Sequence, residues 1–462
     1  MAMGKRKDRQ KDLFISAEDL PRSPGHPFYR KLNELLAEAG FDRWIEGRCE
    51  PYYEQEEKRG RPSIPPGVYF RMLLAGYFEG IDSQRSIAWK CSDSLSLREF
   101  LGIPLGKNTP DHSSMTNTRK RLPEEVFREV FQFVLTIANE KRLLSGKTMG
   151  VDSTTLEANA AMKTIVRRDT GEDWKAYVTR LMREEEVIDE EQEPTDEEIR
   201  RYDKKRKNKK VSNEEWVSET DPDSRITQMK DGRTHLAYKA EHVVDLDSDL
   251  ITAAEIYPAD EGDTLTMTDS VIEADINLEE AGCEEQIEEV AADKGYHSAA
   301  NLEQSQSLKL RTYIPEPKRK GKSRWTDKPP EYKAAVYGNR NRMRRDKGKR
   351  LQRKRSEFCE RTFAHVCDSG GLRRSWLRGR VNVMKRYLIG AAAHNLGRIL
   401  WKLFGVGKPR ALQGQGGLAA LVYLLLQAIE SVLKRLRTHV PSMAIAGPRS
   451  AWPLPFADRS RK

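Results

Sequence analysis

Two aspartates stand where an apolar run gives way to polar chain. Met149, Gly150 and Val151 read as the start of a strand, and Asp152 ends its apolar part. Ile287, Val290, Ala291 and Ala292 read as a second buried strand, followed by Asp293 and the turn Lys294-Gly295-Tyr296-His297. Further on, Glu357 and Glu360 lie three apart in a stretch that reads as helix, and so share one face. Taken singly, each aspartate also fits a cap or turn residue and each glutamate a solvated surface position; spacing alone does not make them converge. If two strand-borne aspartates and a helix-borne glutamate do meet, they repel one another unless divalent cations join them. Oxygen ligands suit Mg2+ or Mn2+, and two such ions about 4 Å apart clamp an in-line displacement at phosphorus.

The elements that must position these residues change in texture along the chain. Residues 27–145 read as helical: PFYRKLNELLAEAG repeats apolar residues at three- and four-residue spacing until Gly40 stops it. IPPGVYFRMLLAGYFEG starts another helix behind a proline pair, and SQRSIAWKCSDSLSLREFLG reads as a short helix pair. In NTPDHSSMTNTRKRLPEEVF, Pro110 and Asp111 start a polar helix that ends on Arg119, Lys120 and Arg121. A short basic helix on an apolar helix pair is the layout of a helix-turn-helix DNA reader; a surface helix of an ordinary bundle has the same pattern.

Over 146–405 strands and helices alternate, which predicts an α/β domain. Its expected parts are the strand at Asp152, a charged insertion at about 163–225, and a hairpin over 234–260 turning at Asp247-Ser248-Asp249. A helix over 264–280, the strand before Asp293, a short strand in 311–317 and a helix over 354–366 follow. A long apolar-faced helix over 381–405 should pack on the sheet. Residues 1–26 are expected as a flexible basic N-terminus, and 406–462 as a C-terminal helix with a Pro-rich tail.

Composition narrows the function class. The 462 residues carry 81 Lys+Arg against 71 Asp+Glu, a net charge of +10. Between Glu316 and Arg386 bases outnumber acids about threefold, a field suited to a polyanion such as nucleic acid. Arg373, Arg374, Arg378 and Arg380 read there as phosphate contacts. Trp325, amid bases, could stack on a displaced base or simply pack locally. Five cysteines without a CxxC pair argue for a reducing compartment and against structural zinc. P-loop and HExxH patterns are absent. MAMGKRKDRQKD has no apolar segment behind it, and LAALVYLLL is too short to span a bilayer, so a soluble cytoplasmic protein is expected.

Long blocks of the chain resemble the DDE transposases of bacterial insertion sequences. They are GVDSTTLEANAAMKTIVRRDTGEDW, MKDGRTHLAYKAEHVVDLDSDLI with ADEGDT, ADKGYHS, and ERTFAHVCDSGGLRRSWLRGRVNVMKRYLIGAAAHNL. In the helical front, GRPSIPPGVYFRMLLAGYFEGIDSQRSIAWKCSDSLSLREFLG and TPDHSSMTNTRKRL join them, and coverage runs from about residue 25 to 415. The resemblance implies an α/β fold: a ribonuclease H-like catalytic core with a β-rich insertion between the first two carboxylates, preceded by an all-α DNA-binding domain. It implies Asp152, Asp293 and Glu360 as catalytic and metal-binding residues. Asp152 would be shared between two Mg2+ or Mn2+ ions, and Asp293 and Glu360 would each complete one side. The implied partners are the element's double-stranded terminal repeats and target DNA, held by a homodimer and not at a membrane. The ends would be cut by hydrolysis and their 3′-hydroxyls joined to target DNA.

Lys294 and His297, just after Asp293, could touch a phosphate or the scissile region; His297 fits a structural role beside the turn equally well. Relatives place a Tyr and an Arg before this glutamate and a Lys after it; here those positions hold Arg353, Ser356 and Cys367, and Arg355 and Arg361 are the candidates to replace the missing phosphate contacts. A nuclease that cuts without joining, and an inactive transposase-derived DNA-binding protein, remain alternative readings.

Overall fold

The apolar spacing of the first part of the chain folds as helices. The computed structural model describes residues 27–53, 63–207, 211–229, 232–318, 325 and 328–409. Its helical front comprises α1 (Pro27–Glu38), α2 (Phe41–Cys49), α3 (Pro66–Glu79), α4 (Gln84–Asp93), α5 (Leu95–Phe100), α6 (His112–Arg121) and α7 (Glu124–Glu140). Then come β1 (Thr148–Glu157), β2 (Ile165–Arg167), α8 (Trp174–Glu184), α9 (Asp196–Lys205), β3 (Trp216–Ser218), β4 (Arg225–Gln228), β5 (Thr234–Asp245) and β6 (Leu250–Pro258). The remainder is α10 (Asp263–Glu280), β7 (Glu289–Ala292), α11 (Ala299–Ser307), β8 (Arg311–Tyr313), α12 (Pro330–Arg344), α13 (Asp346–Phe363) and α14 (Arg380–Phe404). The N-terminal stretch 1–26 and the expected helix over 418–437 lie outside the described residues.

In the helical front, α3 starts at the proline pair and stops at Gly80, whose φ of 62° is the left-handed cap that glycine adopts without strain. It is apolar on nearly every side, and α2, α4 and α14 cover it. Its one buried cation, Arg71, is neutralised by Asp42 at 2.8 Å and also binds Asn33 and the Phe100 carbonyl, tying α1, α2 and α5 to α3. On α6, Asp111 caps the first turn through Ser114 N at 2.8 Å, and Thr116 bonds Gln84 of α4 at 2.8 Å. Met115 and Thr118 face inward; Lys120 and Arg121 face solvent, and Arg119 is half-buried.

The sheet is mixed. β5 is its long antiparallel spine, with β4 and β6 along one edge and β1 along the other. β1, β7 and β8 then run parallel; α10 leads from β6 into β7, and α11 joins β7 to β8. α10 covers one face, with Met267, Val271, Ala274 and Leu278 against Met149, Val151, Val290 and Ala292. α13 covers the other, with Leu351 against Leu246, Ala291 and Tyr313. Each large apolar side chain so buried contributes roughly 1.5–3 kcal/mol.

α14 packs on β6, as its apolar pattern predicts, more extensively on α7, and also on α3. Residues 27–145 and the sheet therefore belong to one compact unit. The charged stretch over 163–225 forms the helical pair α8–α9 around Val178, Met182 and Ile199, with the small β2–β3 ladder beside it. No helix of the described residues is long and apolar enough to cross a membrane.

Candidate active site

Strand register decides which residues meet. β1 and β7 are parallel with Val151 beside Ala292, and the residue after each is an aspartate: Asp152 within β1 and Asp293 just past the end of β7. Side chains alternate along a strand. Gly150 faces α13 so closely that a Cβ there would lie 3.1 Å from Arg355 Cγ and 3.2 Å from Cys359 Sγ. Asp152, two residues on, faces the same helix: Arg355 Nη1 donates to its Oδ2 at 2.9 Å. Ala291 packs with Leu351 of α13, and Asp293 follows in extended backbone on that side. Its carboxylate caps the turn Lys294–Tyr296 by accepting from Gly295 N. A Cβ at Gly150 would also lie 2.7 Å from Leu246 Cδ2, so Gly150→Ala should crowd both Leu246 and α13 and cost about 1–3 kcal/mol. A fall in the chemical-denaturation midpoint reads this out, and an unchanged midpoint means that α13 has slack here.

The orientation of α13 separates the two glutamates. Arg355, Cys359 and Thr362 turn toward the sheet. One flank leans on the β5–β6 turn, where Lys354 binds Asp247 at 2.9 Å and Arg361 binds Asp249 at 2.7 Å. The other flank holds Gln352, which donates to Ala292 O at 3.0 Å, the last residue of β7. Ser356 and Glu360 follow Gln352 at four-residue steps, and Ser356 Oγ donates to Glu360 Oε1 at 2.8 Å. Glu360 thus lies on the flank that borders the aspartate-bearing strand ends. Both glutamates are exposed, and Glu357 is held by Arg361 on the side away from Gln352. Among the described residues no three His, Cys, Asp or Glu side chains gather at metal-binding distance. Asp152, Asp293 and Glu360 instead accept hydrogen bonds from Arg355, Gly295 and Ser356.

Arg373 is a functional candidate whose place only the fold reveals. After α13 a wide turn, Ala364–Ser369, brings the chain back to β1, where Glu157 N donates to Arg373 O at 3.0 Å and Ser375 N to Glu157 O at 2.9 Å. Arg373 Nη1 donates to Thr154 Oγ1 at 3.0 Å. Thr154 is two residues past Asp152, so both project from one face of β1, and the Arg373 guanidinium also pairs with Asp368 at 3.0 Å. Cys367, in the position where relatives carry a lysine, is buried with its Sγ 3.9 Å from Tyr387 Oη. Arg374 lies 3.7 Å from Glu157 with its guanidinium over Trp376. Arg378 is exposed ahead of α14 and Arg380 at its first position, Lys294 is exposed in the turn after Asp293, and Arg353 is exposed on α13. His297, half-buried, closes the Asp293 turn.

Two expected DNA contacts are engaged elsewhere. Arg361 spans Asp249 and Glu357, on the flank of α13 away from the strand ends, because the helix phase set by Arg355 and Cys359 turns it there. Trp325 packs against Tyr337 of α12, ring centroids 6.2 Å apart, at the edge of the core beneath α10. It takes the local-packing alternative because Tyr337 and the buried Val336 of α12 offer it an apolar face.

Polar groups hidden inside strands support the site, and nothing in their local sequence sets them apart. His242 pairs with Asp152 across β1 and β5. Its ring stacks on Phe363 at 4.1 Å and bonds Thr362 Oγ1 at 2.9 Å and Tyr387 Oη at 2.8 Å, fixing the end of α13. On the opposite face, the fully buried Glu241 accepts from Thr266 at 2.9 Å and from Tyr296 Oη at 2.8 Å, anchoring the Asp293 turn. Burial raises the Glu241 pKa. Burial pushes His242 from 6.5 down to about 3. Below about pH 6.5 the unfolded chain therefore takes up a proton that the folded chain refuses until about pH 3, and stability drops as pH falls through that window. His242→Gln should remove about one proton from this dependence, on the order of 1.4 kcal/mol per pH unit. Urea unfolding at pH 5 and 6.5 reads it out; parallel slopes in both proteins would rule out a buried neutral His242.

Two family models match the chain. Residues 16–121 match the family described as "Transposase domain (DUF772)", and residues 216–396 match "Transposase DDE domain". The second match contains Asp293 and Glu360 and begins after Asp152; together the two cover more than half of the chain. No curated protein and no solved structure matches. With the helical front matched to one transposase domain and the strand-end aspartate Asp293 and α13 to the other, the chain belongs to the DDE transposases of the insertion-sequence kind.

Proposed function

We propose that this transposase binds the ends of its element as a homodimer, cuts them by metal-dependent phosphodiester hydrolysis and joins the 3′-hydroxyl ends to target DNA. The observation that carries the chemistry is the register of β1 and β7, which delivers Asp152 and Asp293 from adjacent parallel strands beneath α13. The sheet order β6-β5-β1-β7-β8, antiparallel then parallel, supports a ribonuclease H-like core, with β2, β3, α8 and α9 as an insertion between the first two carboxylates.

The donor set fits Mg2+ or Mn2+. Its ligands are carboxylate oxygens, and a cation, Arg355, already balances the Asp152 charge, as a bound ion would. Asp152, Asp293 and Glu360 would hold the ions. When bound, two such ions supply activation of the attacking oxygen and charge stabilisation at the leaving oxygen. The chain's own part is placement. Glu241 and Tyr296 fix the Asp293 turn, His242 fixes the end of α13, and Arg373 offers a guanidinium to the substrate phosphate on the Asp152 face. Lys294, Arg374, Arg378 and Arg380 extend the basic surface along the DNA backbone.

The helical front would read the terminal repeat through α6. Lys120 and Arg121 are its exposed bases, and Arg121 lies over the Tyr53 ring at 4.6 Å. In the full-length chain, Lys120→Ala with Arg121→Ala should weaken binding to end DNA and flatten the log Kd against log salt slope by about 2. An unchanged slope would take α6 off the DNA.

A further inference from the structure

Of the three proposed metal-holding carboxylates, Asp152 accepts a hydrogen bond from a full positive charge. Asp293 and Glu360 accept theirs from a backbone N–H and a hydroxyl. We infer that Arg355 is a resident counter-cation: it occupies Asp152 in the metal-free protein, a divalent ion must displace it, and a DNA phosphate then receives it. This rests on the reading of Asp152 and Asp293 as metal-holding residues.

The side chain is built for such an exchange. Its stem is fixed, because the absence of a side chain at Gly150 lets Arg355 Cγ lie against β1. Its tip is only partly used. Nη1 donates to Asp152, while the buried Nε has no hydrogen-bond partner. A guanidinium offers five donors in a planar fork matched to carboxylate and phosphate oxygens. An ion ligated by Asp152 would sit within a few Å of that tip, and two cations at that separation repel strongly where water is scarce. Turning the tip outward relieves the repulsion, and a phosphate at the strand ends, already facing Arg373, rewards it. Metal and DNA would then each favour the other's binding by the same factor. Free protein would hold metal weakly, and the site would fill on DNA.

The test is Mn2+ binding to the full-length, DNA-free protein, followed by the electron paramagnetic resonance signal of free Mn2+. Arg355→Gln should bind Mn2+ at least about tenfold more tightly than wild type. Arg355→Met keeps the stem against Gly150 and should do the same if the glutamine variant folds poorly, whereas Arg355→Lys should stay near wild type. Equal or weaker Mn2+ affinity in either folded neutral variant overturns the proposal. Asp152→Asn and Asp293→Asn, placed in the Arg355→Gln background, separate the two layers. If they abolish Mn2+ binding and Arg355 has no effect, only the counter-cation role fails. If tight binding survives them, the ion sits elsewhere and the metal-site reading falls as well.

Discussion

Replacing Asp152 or Asp293 by asparagine should lower cleavage of end DNA by more than about a hundredfold, since removing even an outer-shell group commonly costs a metal site 10–100-fold. The change is nearly isosteric. The amide oxygen of the Asp293→Asn variant can still accept from Gly295 N and hold the turn, and that of Asp152→Asn can still accept from Ser153 N. What is lost is negative charge at the strand ends, so DNA binding should persist or tighten slightly. Mobility shift and cleavage assays on the same end DNA read both effects. Glu360→Gln should behave like the aspartate variants, and Glu357→Gln, whose side chain points to solvent beside Arg361, should cut normally. The opposite pair of results would make Glu357 the third carboxylate and refute the assignment by helix flank. Wild-type cutting by Asp152→Asn or Asp293→Asn would remove the active site from this edge of the sheet.

The second large effect concerns how the helical front is held to the sheet. Arg128 of α7 forks onto Glu255 of β6 at 2.6 and 3.0 Å, and also lies 2.9 Å from Glu124 and 3.2 Å from Glu273. Glu255 is largely buried, and burial pushes its pKa up. Arg128→Met leaves three carboxylates facing one another with no cation. Breaking a fully buried pair costs 3–5 kcal/mol; with Arg128 about one-third exposed, about 2–3 kcal/mol is expected. The sign with pH is set by Glu255. With its folded pKa raised, and raised further once Arg128 is gone, protonation relieves the repulsion. The deficit should shrink as pH falls toward the carboxylate range and be largest at neutral pH. Thermal melts of wild type and variant at pH 5 and 7.5 measure it. A deficit independent of pH would mean that lost packing, and not charge, explains the change.

Much of the fold was legible because its signals are local. The proline pair and Gly80 bound α3, Asp111 caps α6, the Asp247–Asp249 turn joins β5 to β6, and the apolar run of α14 required a buried face. The candidate carboxylates were legible as types at boundaries: an aspartate ending each of two apolar runs and two glutamates one helical turn apart. Their order could be matched to a family because long blocks keep it. The sequence left Glu357 and Glu360 open as neighbours on one helix, since rotation about the helix axis depends on what the helix packs against.

Taken alone, then, the sequence determined the elements, the basic character of the surface and the identity of the acidic residues, because capping, periodicity and charge act over a few residues. Tertiary structure decided which of them meet. The parallel register of β1 and β7 pairs Val151 with Ala292 and so brings the chain positions of Asp152 and Asp293 to neighbouring strand ends, across more than a hundred residues that no local preference links. The bare backbone of Gly150 sets the depth and phase of α13, and with it the direction of Glu360 and the reach of Arg355. The return of the chain after α13 brings Arg373 to Thr154, where sequence spacing from Glu360 pointed instead to the buried Cys367. These choices rest on packing and hydrogen bonding between distant segments, and only the closed sheet with its helices on both faces makes them.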